Sequence, residues 1–209
     1  MFILFEGPEG SGKTTMALRL FQHTKRGTDR VTYTREPGGQ QVSEAIRKVL
    51  LNPVHAGMSP LAEFFLFQAA RAEFVQKTLV PLLDAKHEVI QDRYSLSTMA
   101  YQIAGRGLPV APCLSAIELA TGGLIPDITF LLMCSYENGK ARQLAAGKSP
   151  DRLEAEDASF HRKIIQGYRN FANLLPDWNI VTIETDHFPE DVVFNRILLA
   201  LQAHHSDIS

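Results

Sequence analysis

Short runs rich in Val, Ile, Phe and Thr alternate along the chain with longer amphipathic stretches. The runs fall at Phe2–Glu6, Val31–Arg35, Glu88–Asp92, 128–134 and Ile180–Glu184. Their apolar and polar positions show little strict alternation, which suits strands covered on both faces. Stretches with helical spacing lie at Lys13–Lys25, 40–51, 60–83, 112–121, 136–146, 154–175 and 189–203. Ser59 before Pro60, with Glu63 in the turn that follows, marks a helix start. Strand and helix in turn predict an α/β fold, a three-layer sandwich in which helices cover both faces of a parallel sheet. No linker, repeat or low-complexity tract divides the chain, so residues 1–209 read as one domain. Segment 139–157 mixes Gly147, Ser149 and Pro150 with several charges and is expected to form a mobile lid. Residues 204–209 read as a loose tail.

The length of 209 residues allows a sizeable core without staples, and 45% apolar with 21% charged residues is ordinary for a globular protein. Cys113 and Cys134 lie in apolar settings outside any CxxC pair and are expected to be reduced core thiols of a cytoplasmic protein. A net charge of -2 marks no general nucleic-acid or membrane surface, so an anionic ligand must be met by a local group of cations. The apolar run at the N-terminus lacks a basic start and is too short for a signal peptide or a membrane span. The seven histidines show no ligand spacing, which argues against a histidine metal site.

Gly7-Pro8-Glu9-Gly10-Ser11-Gly12-Lys13-Thr14 matches G-x-x-x-x-G-K-[ST] between an apolar run and a helical pattern, with Thr15 next. Glycines let successive N–H groups curl around a phosphate, and the helix from Lys13 adds its positive end. Lys13 brings a mobile charge to the β- and γ-phosphates, and Thr14 offers a hydroxyl to Mg²⁺. Neither an N-K-x-D base reader nor a D-x-x-G switch occurs, which excludes the GTPase type of this loop.

The second run ends at Arg35, followed by Glu36-Pro37-Gly38-Gly39, and the third ends at Asp92, followed by Arg93-Tyr94. The carboxyl rim of a parallel sheet is where such folds bind ligands. Arg35 and Arg93 can fork onto phosphate there, and Asp92 suits a Mg²⁺ or metal-water ligand. Phe67 and Arg71 are four apart on a helix and share a face, so a ring and a guanidinium can hold one base by its face and its edge. The same ring can equally be core, since Phe64, Phe65, Leu66 and Phe67 leave that turn without a polar side.

FEGPEGSGKTT, TREPGG, FQAAR and DRYSLSTMAYQ, in this order and spacing, resemble the thymidylate kinase family, particularly its bacterial type. The resemblance covers most of the chain. It implies a P-loop kinase with a five-stranded parallel sheet, working as a homodimer with ATP and Mg²⁺ to phosphorylate thymidine monophosphate. It assigns Glu9 to the sugar 3′-OH and the acceptor phosphate, and Arg35 and Arg93 to that phosphate. It makes the bond before Pro37 a candidate cis peptide. It assigns Phe67 to stacking on thymine, Arg71 to its O4, and Ser97, Tyr101 and Gln102 to the lining of base and sugar. Tyr101 would exclude a 2′-OH.

Family members need a cation at the transferred phosphoryl group. Gly10 stands where one type carries it in the loop, so the lid is expected to supply it, from Arg142, Lys148 or Arg152. The lid is poorer in arginine than the bacterial pattern, reading Gln143-Leu144-Ala145-Ala146-Gly147-Lys148-Ser149-Pro150 after Arg142. A kinase for another pyrimidine monophosphate, and an ATPase or nucleotide sensor, stand as alternatives. The acceptor-phosphate arginines speak against the second, and the Phe67–Arg71 pair with Tyr101 against the first.

Overall fold

The computed structural model describes residues 1–147 and 149–208, apart from the side chains of Asp207 and Ile208. Five parallel strands form one sheet in the order β2-β3-β1-β4-β5. They are β1 (Phe2–Glu6), β2 (Val31–Arg35), β3 (Glu88–Asp92), β4 (Ile128–Met133) and β5 (Ile180–Glu184). β1 and β4 are buried at every position. That is why their sequence lacks alternation, because both faces meet helices. Phe2 and Leu4 point into one core and Ile3 and Phe5 into the other.

The helices are α1 (Lys13–Lys25), α2 (Gln41–Leu51), α3 (Pro60–Phe74), α4 (Val80–Asp84), α5 (Ser95–Thr98), α6 (Val110–Thr121), α7 (Tyr136–Ala145), α8 (Ala158–Ala172) and α9 (Glu190–Ile208). α1 and α9 cover the Ile3–Phe5 face through Met16, Leu20, Phe194 and Ile197. Parts of α3, α6 and α8 cover the other face through Phe64, Phe74, Ile117, Phe160 and Ile164. Cys113 and Cys134 are free and buried, as their setting suggested.

The differences from the sequence reading have local causes. The stretch read as one helix over 60–83 passes through a π-helical turn at Val75–Leu79. A second π-helical segment, Met99–Gly105, extends α5, where buried Met99, Ala100, Tyr101, Gln102 and Ile103 leave no polar stripe to betray a helix. α8 begins at Ala158 rather than 154, because the Asp157 side chain accepts from the Phe160 N–H and caps it. The tail is not loose up to Ile208. α9 runs on to that residue, since nothing between 204 and 208 is a glycine or proline that would stop it. Ser209 lies outside the described residues.

Candidate active site

β1 stops at Glu6 and the chain turns sharply into α1. A Cβ at Gly7 would lie 2.0 Å from the Leu132 carbonyl oxygen, and one at Gly10 would lie 2.3 Å from that of Gly139. Both residues have positive φ, so only glycine fits either place. α1 starts at Lys13, which aims its first N–H groups into the loop. Lys13 is 5% exposed, donates to the Pro8 carbonyl oxygen at 3.2 Å and sits 3.5 Å from Glu9 Oε2. The register that pairs Asp92 with Phe5 and with Arg35 carries three motifs to one rim.

Thr14 Oγ1 donates to Asp92 Oδ2, while Asp92 Oδ1 is buried without a hydrogen-bond partner. A hydroxyl beside an unspent carboxylate oxygen fits a hard divalent cation. Among the described residues no group of three His, Cys, Asp or Glu forms a cage. Such a cation would therefore draw most of its ligands from water and phosphate. Ser11 Oγ is also buried without a partner, and Thr15 is exposed on the first turn of α1.

Beside the loop opens a cavity of about 370 Å³. Lys13, Glu9 and Asp92 line it, together with Arg35, Arg47 and Arg93. Pro37 also lines it, and the Glu36–Pro37 bond is cis. Arg93 lies just past β3 with φ 71°, and its guanidinium donates to the Gly7 carbonyl oxygen at 3.2 Å, Ser97 Oγ at 3.0 Å and Tyr168 Oη at 2.9 Å. It also pairs with Glu9. Burial alone would push the Glu9 carboxyl up, but the Arg93 and Lys13 cations outweigh it and hold it at about 2. The Tyr101 hydroxyl donates to Glu9 Oε1 at 3.2 Å. Ser97 bonds Glu6 Oε2 at 2.5 Å as well as Arg93, so it braces the arginine besides lining the cavity.

Phe67, Arg71, Thr98 and Gln102 line the same cavity. Phe67 both faces the cavity and packs on the core, so its two readings are compatible. Arg71 is 2% exposed and donates to Glu36 Oε2 at 2.8 Å, Gln68 Oε1 at 3.0 Å, Thr98 Oγ1 at 3.0 Å and the Tyr94 carbonyl oxygen at 3.0 Å. A guanidinium has five N–H groups, so one Nη2–H remains for the cavity. Burial pushes the Glu36 carboxyl up to about 7 despite Arg71.

The lid residues do not converge on this site. Arg142 lies across the loop from outside, with Nη1 3.1 Å from the Gly10 carbonyl oxygen and Nη2 2.6 Å from that of Thr185. Arg152 is 3% exposed, and its Nη1 pairs with Glu63 Oε2 at 2.6 Å, so burial and a carboxylate hold it away from the loop. Lys148 lies outside the described residues. Instead, Asp151, Leu153 and Glu154 of the lid exit form part of the cavity wall.

Comparison with known proteins agrees with this geometry. The family model described as thymidylate kinase matches residues 5–197. The chain belongs to the thymidylate kinase family. It is 41% identical over 201 residues to the thymidylate kinase of Deinococcus radiodurans, covering 96% of each chain. It is 40% identical over 185 residues to that of Citrifermentans bemidjiense, covering 86% of this chain and 82% of the other. The crystal structure of thymidylate kinase from Ehrlichia chaffeensis superposes with a TM-score of 0.78 at 31% identity, over 97% of this chain and 98% of that one. The P-loop α/β fold read from the sequence is thus the fold of the family.

The sequence reading gave no site role to four residues that matter here: Arg47, Glu63, Glu36 and Tyr168. Ser43, Arg47 and Leu50 share the inward face of α2, and a charge at such a position was a legible signal. Glu63 stands one turn before Phe67 on α3 and two before Arg71. Glu36 and Tyr168 carried no signal, because the loop after β2 and the inner face of α8 meet their partners only in the folded chain.

Proposed function

We propose that this protein transfers the γ-phosphoryl group of ATP to thymidine monophosphate with the help of Mg²⁺, as a cytoplasmic homodimer. The observation that carries the reading is that one cavity brings Arg35, Arg47 and Arg93 together with Phe67 and Arg71. Arg47 donates to the Pro37 carbonyl oxygen at 2.8 Å and, among the described residues, pairs with no carboxylate. Burial and the neighbouring Arg35 both disfavour its charge, with Arg93 adding to them against the pull of Glu44 and Asp151. A cluster of cations in that state is completed by a dianionic phosphate. The Arg35–Glu44 pair is half-exposed, so Arg35 turns to such a ligand at little cost.

The acceptor phosphate is already an anion, so the reaction needs no strong base. The chain's work is positioning and charge neutralisation. Lys13 and the loop N–H groups hold the donor phosphates. Arg93, braced by Glu9, Ser97 and Tyr168, holds the acceptor, and Tyr101 with Glu9 meets the sugar. Thr14 and Asp92 would hold Mg²⁺, which would supply charge neutralisation at the donor phosphates. Phe67 stacks on the base, and the spare Nη2–H of Arg71 meets a carbonyl oxygen on it. Arg142, which reaches the Gly10 carbonyl oxygen, is the proposed partner of the donor nucleotide, while Arg152 anchors the lid exit. Among the described residues no helix is long and apolar enough to cross a membrane.

A coupled assay of ADP release tests the proposal, run with ATP alone, with thymidine monophosphate and with deoxycytidine monophosphate. Release that depends on thymidine monophosphate and is much weaker with the other acceptor is expected. Equal release without any acceptor marks an ATPase, and preference for the cytidine compound marks another pyrimidine kinase; either sinks the proposal.

A further inference from the structure

Glu63 is fully buried and lines no part of the cavity, yet it accepts four hydrogen bonds from three side chains, one of which, Gln102, lines it. Its Oε1 accepts from Gln102 Nε2 at 2.9 Å and from Arg106 Nε at 3.2 Å. Its Oε2 accepts from Arg106 Nη2 at 3.0 Å and Arg152 Nη1 at 2.6 Å. Arg106 is steadied in turn by Glu156 at 2.7 Å, and Arg152 Nε by the Leu50 carbonyl oxygen at 2.7 Å. Two guanidiniums on one carboxylate keep it ionised, and an ionised carboxylate only accepts.

That has a consequence for Gln102. A primary amide has a donor end and an acceptor end, and a neighbour that only accepts must receive the donor end. Gln102 therefore turns its NH₂ to Glu63 and leaves Oε1 as the end for the cavity it lines. The cavity then offers an acceptor from Gln102 and a donor from Arg71. Thymine and uracil present a ring N–H beside a carbonyl oxygen. Cytosine presents a ring nitrogen acceptor beside an amino group, the reverse polarity.

Resting on the acceptor proposed above, we propose that Glu63 is a positioning residue for base choice: by pinning the Gln102 amide it makes the cavity select a base with a ring N–H beside a carbonyl. Glu63 acts through Gln102 and touches no substrate. Replacing Gln102 removes the reader; replacing Glu63 leaves the reader but frees its orientation.

The test is kcat/KM for thymidine and deoxycytidine monophosphates in the wild type, Glu63→Gln, Gln102→Ala and the double variant. A glutamine at 63 can accept or donate, so Gln102 is no longer dictated. Glu63→Gln is expected to narrow the preference for thymidine monophosphate by roughly tenfold, the size of one buried hydrogen bond lost. The change should lie in KM for the acceptor, with KM for ATP unmoved. In the Gln102→Ala background the same substitution should leave the ratio where it is. A Glu63 that only supports the fold would lower both acceptors in parallel and leave the ratio untouched, and that result overturns the proposal. A wild type with no preference at all refutes the acceptor reading itself, which is a different outcome from a strong preference that Glu63→Gln does not alter. Should Glu63→Gln not fold, nuclear magnetic resonance of the wild type decides. The Nε2 protons of Gln102 and the Nε proton of Arg106 donate to one oxygen and should show a cross-relaxation peak. Its absence overturns the orientation.

Discussion

Arg47 and Glu9 show how single side chains in this site can be read for their energetics. Arg47 sits on the inner face of α2 with the Pro37 carbonyl oxygen as its bonded partner. Removing it leaves no buried carboxylate stranded, so Arg47→Ala should fold normally. A hydrogen bond to a charged group is worth about 1.5–3 kcal/mol, so the Kd for thymidine monophosphate should rise roughly 10- to 100-fold while that for ATP stays put. Calorimetric titration of both nucleotides checks this, and an unchanged acceptor affinity would remove Arg47 from the phosphate site. Glu9 gives a pH prediction. Its carboxyl sits at about 2 in the folded chain, below the ordinary 4.5, because the cations around it outweigh its burial. The stabilisation it brings is therefore present above pH 4.5 and is lost as pH falls from there towards 2. The difference in Tm between the wild type and Glu9→Gln should shrink across that window, and a constant difference would mean that Glu9 is not held by Arg93 and Lys13.

At the scale of elements, one contact that joins the lid to the phosphate loop is backbone against backbone. Gly139 on α7 lies so close that a Cβ there would come within 2.5 Å of the Glu9 carbonyl oxygen. Cys134 Sγ lies 3.7 Å from the same oxygen, so the loop has little room to yield. Gly139→Ala should push the loop and α7 apart. Its expected result is a drop in kcat/KM for ATP of roughly tenfold or more, beyond what its small change in Tm explains, since small misplacements at a reacting centre are costly. Full activity in a folded Gly139→Ala protein would show that the two elements are free to separate. The same helix carries Arg142 onto the Gly10 carbonyl oxygen and the end of β5, so α7 meets the loop at two points.

For the whole molecule, α3 packs between α2 and α6, and its far side leaves Leu61 52% and Phe65 56% exposed. Val49 on α2 and Val110 on α6 are also exposed. Apolar side chains on three neighbouring helices are the expected footing of the proposed homodimer. Sedimentation at micromolar concentration should give twice the monomer mass, and Phe65→Asp should give the monomer. A wild type that sediments as a monomer would refute this face as a dimer contact.

The order of elements, the parallel sheet and the phosphate loop were legible in the sequence because they rest on local rules: apolar runs for strands buried on both faces, glycines for a tight curl, Ser59 and Pro60 for a helix start. The sequence motifs also carried Lys13, Arg35, Phe67, Arg71 and Arg93, whose spacing sets them on the rim of the sheet or on one face of α3. Partners distant in sequence were a different matter. Arg152 looked like a lid cation, but its position is decided by Glu63, 89 residues away. Tyr168 braces Arg93 from 75 residues away, and Glu63 orients Gln102 from 39. A buried charge takes whichever counter-charge the packing brings within reach, since leaving it alone costs more than any local preference can offer. That choice depends on how α3, α8 and the lid exit pack around the sheet, which only the tertiary structure decides.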